Sequence, residues 1–226
     1  MKPQNSKNFW SRKPTGFLGL RNGEWFLVFF NLAYILAFAF YYLSIKNYEF
    51  LWYVVVLIFF FLLIGLTLRK TNFDYLILWL LSIWGFLHMA GGGIWIGNGF
   101  WIFKGSGVLY SLEIVKLFSI GDTIVLKFDQ FVHAFGFGTT TLVAYSLLKP
   151  YFNSKTNYKI IYPVLIAIAM GLGALNEIVE FVAVVAFPST GVGGYYNTAL
   201  DLVFNMIGSF IAIFVIYFYY RRKIYK

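Results

Sequence analysis

The sequence predicts an all-α, polytopic membrane helix bundle of about six transmembrane helices, with both termini cytoplasmic. Three observations predict it. First, 60% of the residues are hydrophobic and only 12% are charged, where a soluble domain averages about a quarter charged. Second, the apolar residues gather in six long runs. Third, the lysines and arginines fall mostly on one side of those runs.

A membrane-spanning helix needs about 20 mostly apolar residues. The runs at 24–45, 50–68, 73–90, 128–148, 160–187 and 198–220 meet that length or come close to it. The fifth is long enough to tilt or protrude. The first run is followed by no small-residue cleavage site, so it reads as a retained signal anchor. There is no internal repeat and no stretch suited to a second, soluble domain. Residues 1–226 are therefore expected to form one transmembrane domain, with 1–23 as a cytoplasmic basic tail.

Orientation follows from the positive residues. Lys46, Lys104, Lys116 and Lys127 fall in loops on one side, and the other 14 of the 18 lysines and arginines fall on the opposite side. That side is the cytoplasmic one, and the number of spans must be even. The net charge of +9 is thus a topology signal with added attraction to anionic lipid, and no nucleic-acid partner is expected. The absence of cysteine excludes disulfides, thiolate metal sites and a cysteine nucleophile.

Residues 91–127 form a long outer loop between the third and fourth helices, rich in glycine at its start. Loops of this length usually carry function or structure of their own. Two placements stay open: in the interface with Trp95 and Trp101 as anchors, or folded back over the bundle as a lid.

The chain has nine acidic residues. Glu24, Glu49, Asp74, Glu113 and Asp122 lie at helix ends or in loops, where water is expected to reach them. Asp129, Glu177, Glu180 and Asp201 lie within spans or just inside their ends, as do both histidines, His88 and His133. Alternating spans bring these six groups to one depth. Glu177, for example, stands roughly 25 Å above the inner end of its helix at 1.5 Å per residue.

Spacing adds to this agreement. Asp129 and His133 are i, i+4, Glu177 and Glu180 are i, i+3, and Asp201 and Asn205 are i, i+4, so each pair shares one helix face. Asn176 and Asn205 are supporting polar residues. Gly136, Gly138, Gly171, Gly173 and Gly208 lie close by, and small residues let membrane helices approach closely. The polar centre thus occupies residues 85–210.

A carboxylate at the middle of a spanning helix costs about 2.5–3.5 kcal/mol. Four would cost on the order of 10 kcal/mol, comparable with a whole protein's stability. No lysine or arginine lies within these spans to neutralise them. Protonation, cavity water or bound cations remain. Carboxylates with imidazoles are ligands of divalent metals, and helical bundles hold paired metals at these spacings. One or two divalent ions (zinc, iron or manganese) are therefore expected, held by Asp129, His133, Glu177 and Asp201, with His88 as a further ligand candidate. Other readings stand beside this one. Asp129 and Asp201 suit the dipole at a helix start, Asn205 suits interhelical bonding, and His88 suits packing. Glu177 and Glu180, paired in mid-run, have no such reading.

The ordered set 87-LHMAG-91, 129-DQFVHAFGFG-138, 176-NEIVEF-181 and 193-GGYYNTALDLVFNMIG-208 resembles the YjdF-type polytopic membrane proteins. More distantly it is similar to the VanZ-like proteins, in which an Asp-x-x-x-His helix precedes a glutamate helix and an Asp-x-x-x-Asn-x-x-Gly helix. Glu180 stands where the VanZ-like pattern has glutamine, and Gln130 where it often has lysine. No arginine precedes Asp201 here, as one does in that pattern. The resemblance implies a polytopic membrane protein with a shared polar centre and gives no substrate.

The expected function is that of a metal-dependent membrane enzyme acting on a lipid or lipid-linked substrate at the outer leaflet. Hydrolysis by metal-activated water is the leading chemistry, with Glu180 and Glu177 as catalytic carboxylates. An oxidative di-iron version uses the same ligands. The rivals are an ion- or proton-coupled transporter, which needs a polar path to the cytoplasmic side, and a non-enzymatic accessory protein.

Overall fold

The computed structural model describes residues 20–71, 73–100, 102–116, 118–120, 123–124 and 126–220. Trp101 and Asp122, named above, lie outside the described residues, as do Lys2, Lys7, Arg12, Lys13, Arg221, Arg222, Lys223 and Lys226 among the 14 counted on the cytoplasmic side. Among those described, six helices are long and apolar enough to cross a membrane. They are α1 (Asn22–Ser44), α2 (Tyr48–Thr71), α3 (Tyr75–Gly93), α4 (Phe128–Leu148), α5 (Tyr158–Ala186) and α6 (Tyr195–Val215). The last continues through a wider turn over Ile216–Tyr220.

Helix starts follow local chemistry. Asn47 accepts the Phe50 N–H at 3.1 Å, Asp74 accepts that of Ile77 at 3.0 Å, and Asn157 accepts that of Lys159 at 3.1 Å. Each side chain satisfies an amide that the first turn leaves orphaned. Large apolar residues such as Phe40, Leu66 and Val185 point outward and are strongly exposed, as a lipid-facing surface requires.

Two buried clusters mark the two ends of the bundle. The first gathers Leu27, Phe73, Ile77, Tyr145, Leu165 and Ile216 beside Leu20, Leu148, Phe152 and Tyr158, next to the connection that carries Lys149, Lys155 and Lys159; we call it the basic end. The second gathers Tyr34, Tyr42, Phe50, Tyr53, Met89 and Ala183, beside the segment joining α3 to α4; we call it the hairpin end.

That joining segment differs from the expected plain loop. The helix α3 does not stop at Ala90 but runs through Gly91, Gly92 and Gly93. These glycines are there for space. A Cβ on Gly91 would overlap the Tyr110 ring, one on Gly92 would enter the Phe50 ring, and one on Gly93 would lie 2.8 Å from the Tyr42 hydroxyl. Beyond them, β1 (Trp95–Phe100) and β2 (Phe103–Val108) form an antiparallel ribbon. Gly97, Gly99 and Gly107 supply its positive φ angles. A second short pair, β3 (Ser119–Ile120) and β4 (Thr123–Ile124), precedes α4. Between the ribbons, the Phe128 N–H donates to Leu112 O at 2.8 Å and that of Ile114 to Leu126 O at 3.0 Å, tying the segment to the start of α4.

The helices α4 and α6 pack most closely. A Cβ on Gly208 would overlap the Ala134 carbonyl oxygen, and one on Gly138 would lie 2.9 Å from Gly208 O. Gly136 makes room for the Trp84 indole and Gly173 for the Asn205 amide. Gly171 is an exception to the expected role of the glycines: nothing lies within 4 Å of where its Cβ would be.

Candidate metal centre

The second turn of α4 carries His133 into the contact with α5 and α6, where its ring is buried. Its Nε2 lies 3.8 Å from Asp129 Oδ1, one turn earlier on the same helix. Its Nδ1 faces the other way, 3.1 Å from Asn205 Oδ1 on α6 and 3.9 Å from Glu177 Oε1 on α5. Two groups of donor atoms result, each within 4.8 Å: Asp129, His133 and Asp201, and His133, Glu177 and Glu180. His133 is common to both. Donors of a tetrahedral ion with bonds of 2.0–2.1 Å are about 3.4 Å apart, so rotamer shifts on the order of an ångström would close either group.

Asp201 lies two turns into α6, which begins at Tyr195, and it is 1% exposed. The helix-dipole reading therefore fails for Asp201 and holds for Asp129, which sits in the first turn of α4.

Buried polar groups in proteins are normally hydrogen-bonded. Among the described residues, buried Glu177 Oε1, Asp201 Oδ1 and Asn205 Nδ2 have no hydrogen-bond partner. All three belong to the side chains gathered around His133. Asn176 donates from Nδ2 to Glu180 Oε1 at 2.8 Å, which orients that carboxylate from its own helix.

The surroundings contain residues that the spacing did not single out. Asn197, one turn before Asp201, donates to Asp201 Oδ2 at 2.7 Å and to Asp129 Oδ2 at 3.1 Å. Its carbonyl oxygen accepts from Lys127 Nζ at 3.0 Å. One amide thus holds both aspartates, and a cation stands behind it. The expectation that no cation is at hand needs this correction: Lys127 precedes α4 in sequence, outside the span, yet reaches back through Asn197.

His88 is not brought into either group. Its ring packs among Tyr53, Trp84 and Tyr110, at centroid distances of 5.6, 6.3 and 5.9 Å. The Tyr110 hydroxyl lies 2.5 Å from His88 Nδ1 and 3.0 Å from its carbonyl oxygen. Burial pushes the Tyr110 phenol well above its ordinary range, which keeps it a protonated donor. His88 and His133 still face one tight crevice, together with Trp84, Val132, Phe137 and Asn176.

Two other acids correct the sequence reading. Glu24 and Glu49 were expected in water, and both are buried. Glu24 is held by Arg21, with Nη2 at 2.8 Å and the backbone N–H at 2.8 Å. Glu49 accepts the Gly191 N–H at 2.7 Å and the Tyr53 hydroxyl at 3.4 Å, fastening the α5–α6 connection to α2. Helix ends placed against neighbours at these positions exclude the water that sequence position alone suggests.

A family described as "Predicted membrane protein (DUF2238)" matches residues 26–222. The chain belongs to this family, and with its six candidate spans it is a multi-pass membrane protein. No curated protein and no solved structure matches it.

Proposed function

We propose that this chain is a metal-dependent membrane hydrolase acting on a lipid or lipid-linked ester at the outer leaflet. One or two divalent cations would be held by Asp129, His133, Glu177 and Asp201. The observation that carries the reading is the pair of buried oxygens around His133 that accept no hydrogen bond among the described residues: Glu177 Oε1 and Asp201 Oδ1, each in a group that shares the imidazole. Carboxylate oxygens left without donors in a membrane interior call for cations. The three helices involved also carry the resemblance to YjdF-type and VanZ-like proteins.

A divalent cation held by these residues would supply Lewis-acid activation of water. Glu180 is placed to take the proton of the attacking water and return it to the departing alcohol as the ester bond breaks. Asn176 holds Glu180 in place for both transfers.

The test is headgroup release from lipid in reconstituted vesicles. Chelation is expected to stop release, and added zinc or manganese to restore it. Glu180→Gln should lower the rate by about 10²–10⁴. Release that ignores both chelation and Glu180→Gln would rule the proposal out.

A further inference from the structure

Beside the centre, in the segment joining α3 to α4, lies an open depression of about 460 Å³. Asn98 and Lys104 line it from the β1–β2 ribbon, Ser106 and Ser111 from the ribbon's return, and Glu113 and Lys127 from the bridge just before α4. Two of the four lysines expected on the outer side therefore face one small space, with hydroxyls and an amide between them. The depression is joined to the centre by three hydrogen bonds: Lys127 Nζ to Asn197, and Asn197 to both Asp129 and Asp201.

We propose that this depression binds the phosphate of an anionic lipid headgroup. The two ammonium groups and the Ser106 hydroxyl suit phosphate oxygens, while the Ser111 hydroxyl donates to Val108 O at 2.7 Å, and the single carboxylate, Glu113, leaves the lining net positive. Depth favours a lipid over a soluble phosphate. Lys127 immediately precedes the α4 span, and exposed Trp95, Ile102 and Phe118 stand on the same outer segment, as side chains at headgroup level do. The inference names the substrate class for the hydrolase reading and rests on it for what happens after binding. Binding itself requires only the lysines.

The test uses the purified full chain in detergent, titrated with dihexanoyl phosphatidic acid, dihexanoyl phosphatidylcholine and glycerol 3-phosphate. Metal content is measured on the same samples. Phosphatidic acid is expected to bind about tenfold tighter than phosphatidylcholine. Lys104→Gln should weaken it about tenfold, while Lys104→Arg stays within about threefold of the native protein. Metal content should be the same in both Lys104 variants. Asp201→Asn should lose metal and keep headgroup binding within about threefold, which separates a failure of this pocket from a failure of the centre. Equal binding of the two lipids, or full binding by Lys104→Gln, would overturn the proposal. Glycerol 3-phosphate binding as tightly as the lipid would overturn the assignment to lipid.

Discussion

The two ends of the bundle treat their buried or capping acids differently. At the basic end, Glu24 is wrapped by Arg21 through side chain and backbone. Asp74 accepts the Ile77 N–H at 3.0 Å and the Tyr220 hydroxyl at 2.8 Å. At the hairpin end, Asp129, Glu177 and Asp201 surround one imidazole, and two of their buried oxygens have no donor among the described residues. A buried carboxylate must be compensated for the water it loses. Glu24 is compensated by partners inside the chain, as is Glu49 at the hairpin end. The carboxylates around His133 are compensated only in part, and two of their oxygens are left for something outside the chain.

The largest expected effect separates architecture from chemistry. Gly208→Ala puts a Cβ into the Ala134 carbonyl, a backbone atom that no rotamer change can move aside. It should cost about 3 kcal/mol, at the upper end of ordinary overpacking, read as a lower thermal unfolding midpoint in detergent. Wild-type stability in this variant would mean that α4 and α6 do not pack as described.

Next come changes that leave the packing intact and strip the centre. Glu177→Gln and Asp201→Asn keep side-chain volume and remove charge. Each should weaken metal affinity by on the order of 100-fold while the unfolding midpoint holds or rises. Asn197→Ala removes no ligand but frees both aspartates, and a 10–100-fold loss in metal affinity is expected. Unchanged affinity there would mean that Asn197 bonds to the aspartates without ordering them.

The smallest effects come from single hydrogen bonds, one at each end. Tyr110→Phe leaves His88 without its hydroxyl partner and should cost about 1–3 kcal/mol. Tyr220→Phe at the basic end removes the bond to exposed Asp74 and should cost about 0.5–1.5 kcal/mol. Neither should change metal content. A loss of metal in Tyr220→Phe would erase the contrast between the two ends.

Hydropathy alone reveals the six spans, because length and apolarity decide whether a helix can cross a bilayer. The expected run at 128–148 and the helix Phe128–Leu148 share their bounds. Helix spacing also shows which polar residues share a face, as with Asp129 and His133. It cannot show what meets that face from another helix. Asn197 does not stand out in the sequence because an asparagine near a helix start usually reads as a cap, nor does Tyr110, which sits among apolar loop residues. The glycines at 91–93 read as a loop signal. In fact they extend α3, since only a bare backbone fits against Phe50, Tyr110 and Tyr42. Glu49 looked solvated for a similar reason: its partner, the Gly191 amide, lies 142 positions away.

The most direct measurement is elemental analysis of the full chain, purified at neutral pH without chelators, beside Glu177→Gln and Asp201→Asn. The expected result is about one to two equivalents of zinc, iron or manganese in the native protein and a marked loss in both variants. Native protein free of such metals, or variants that hold as much as it does, would contradict the claim that the carboxylates around His133 are ligands.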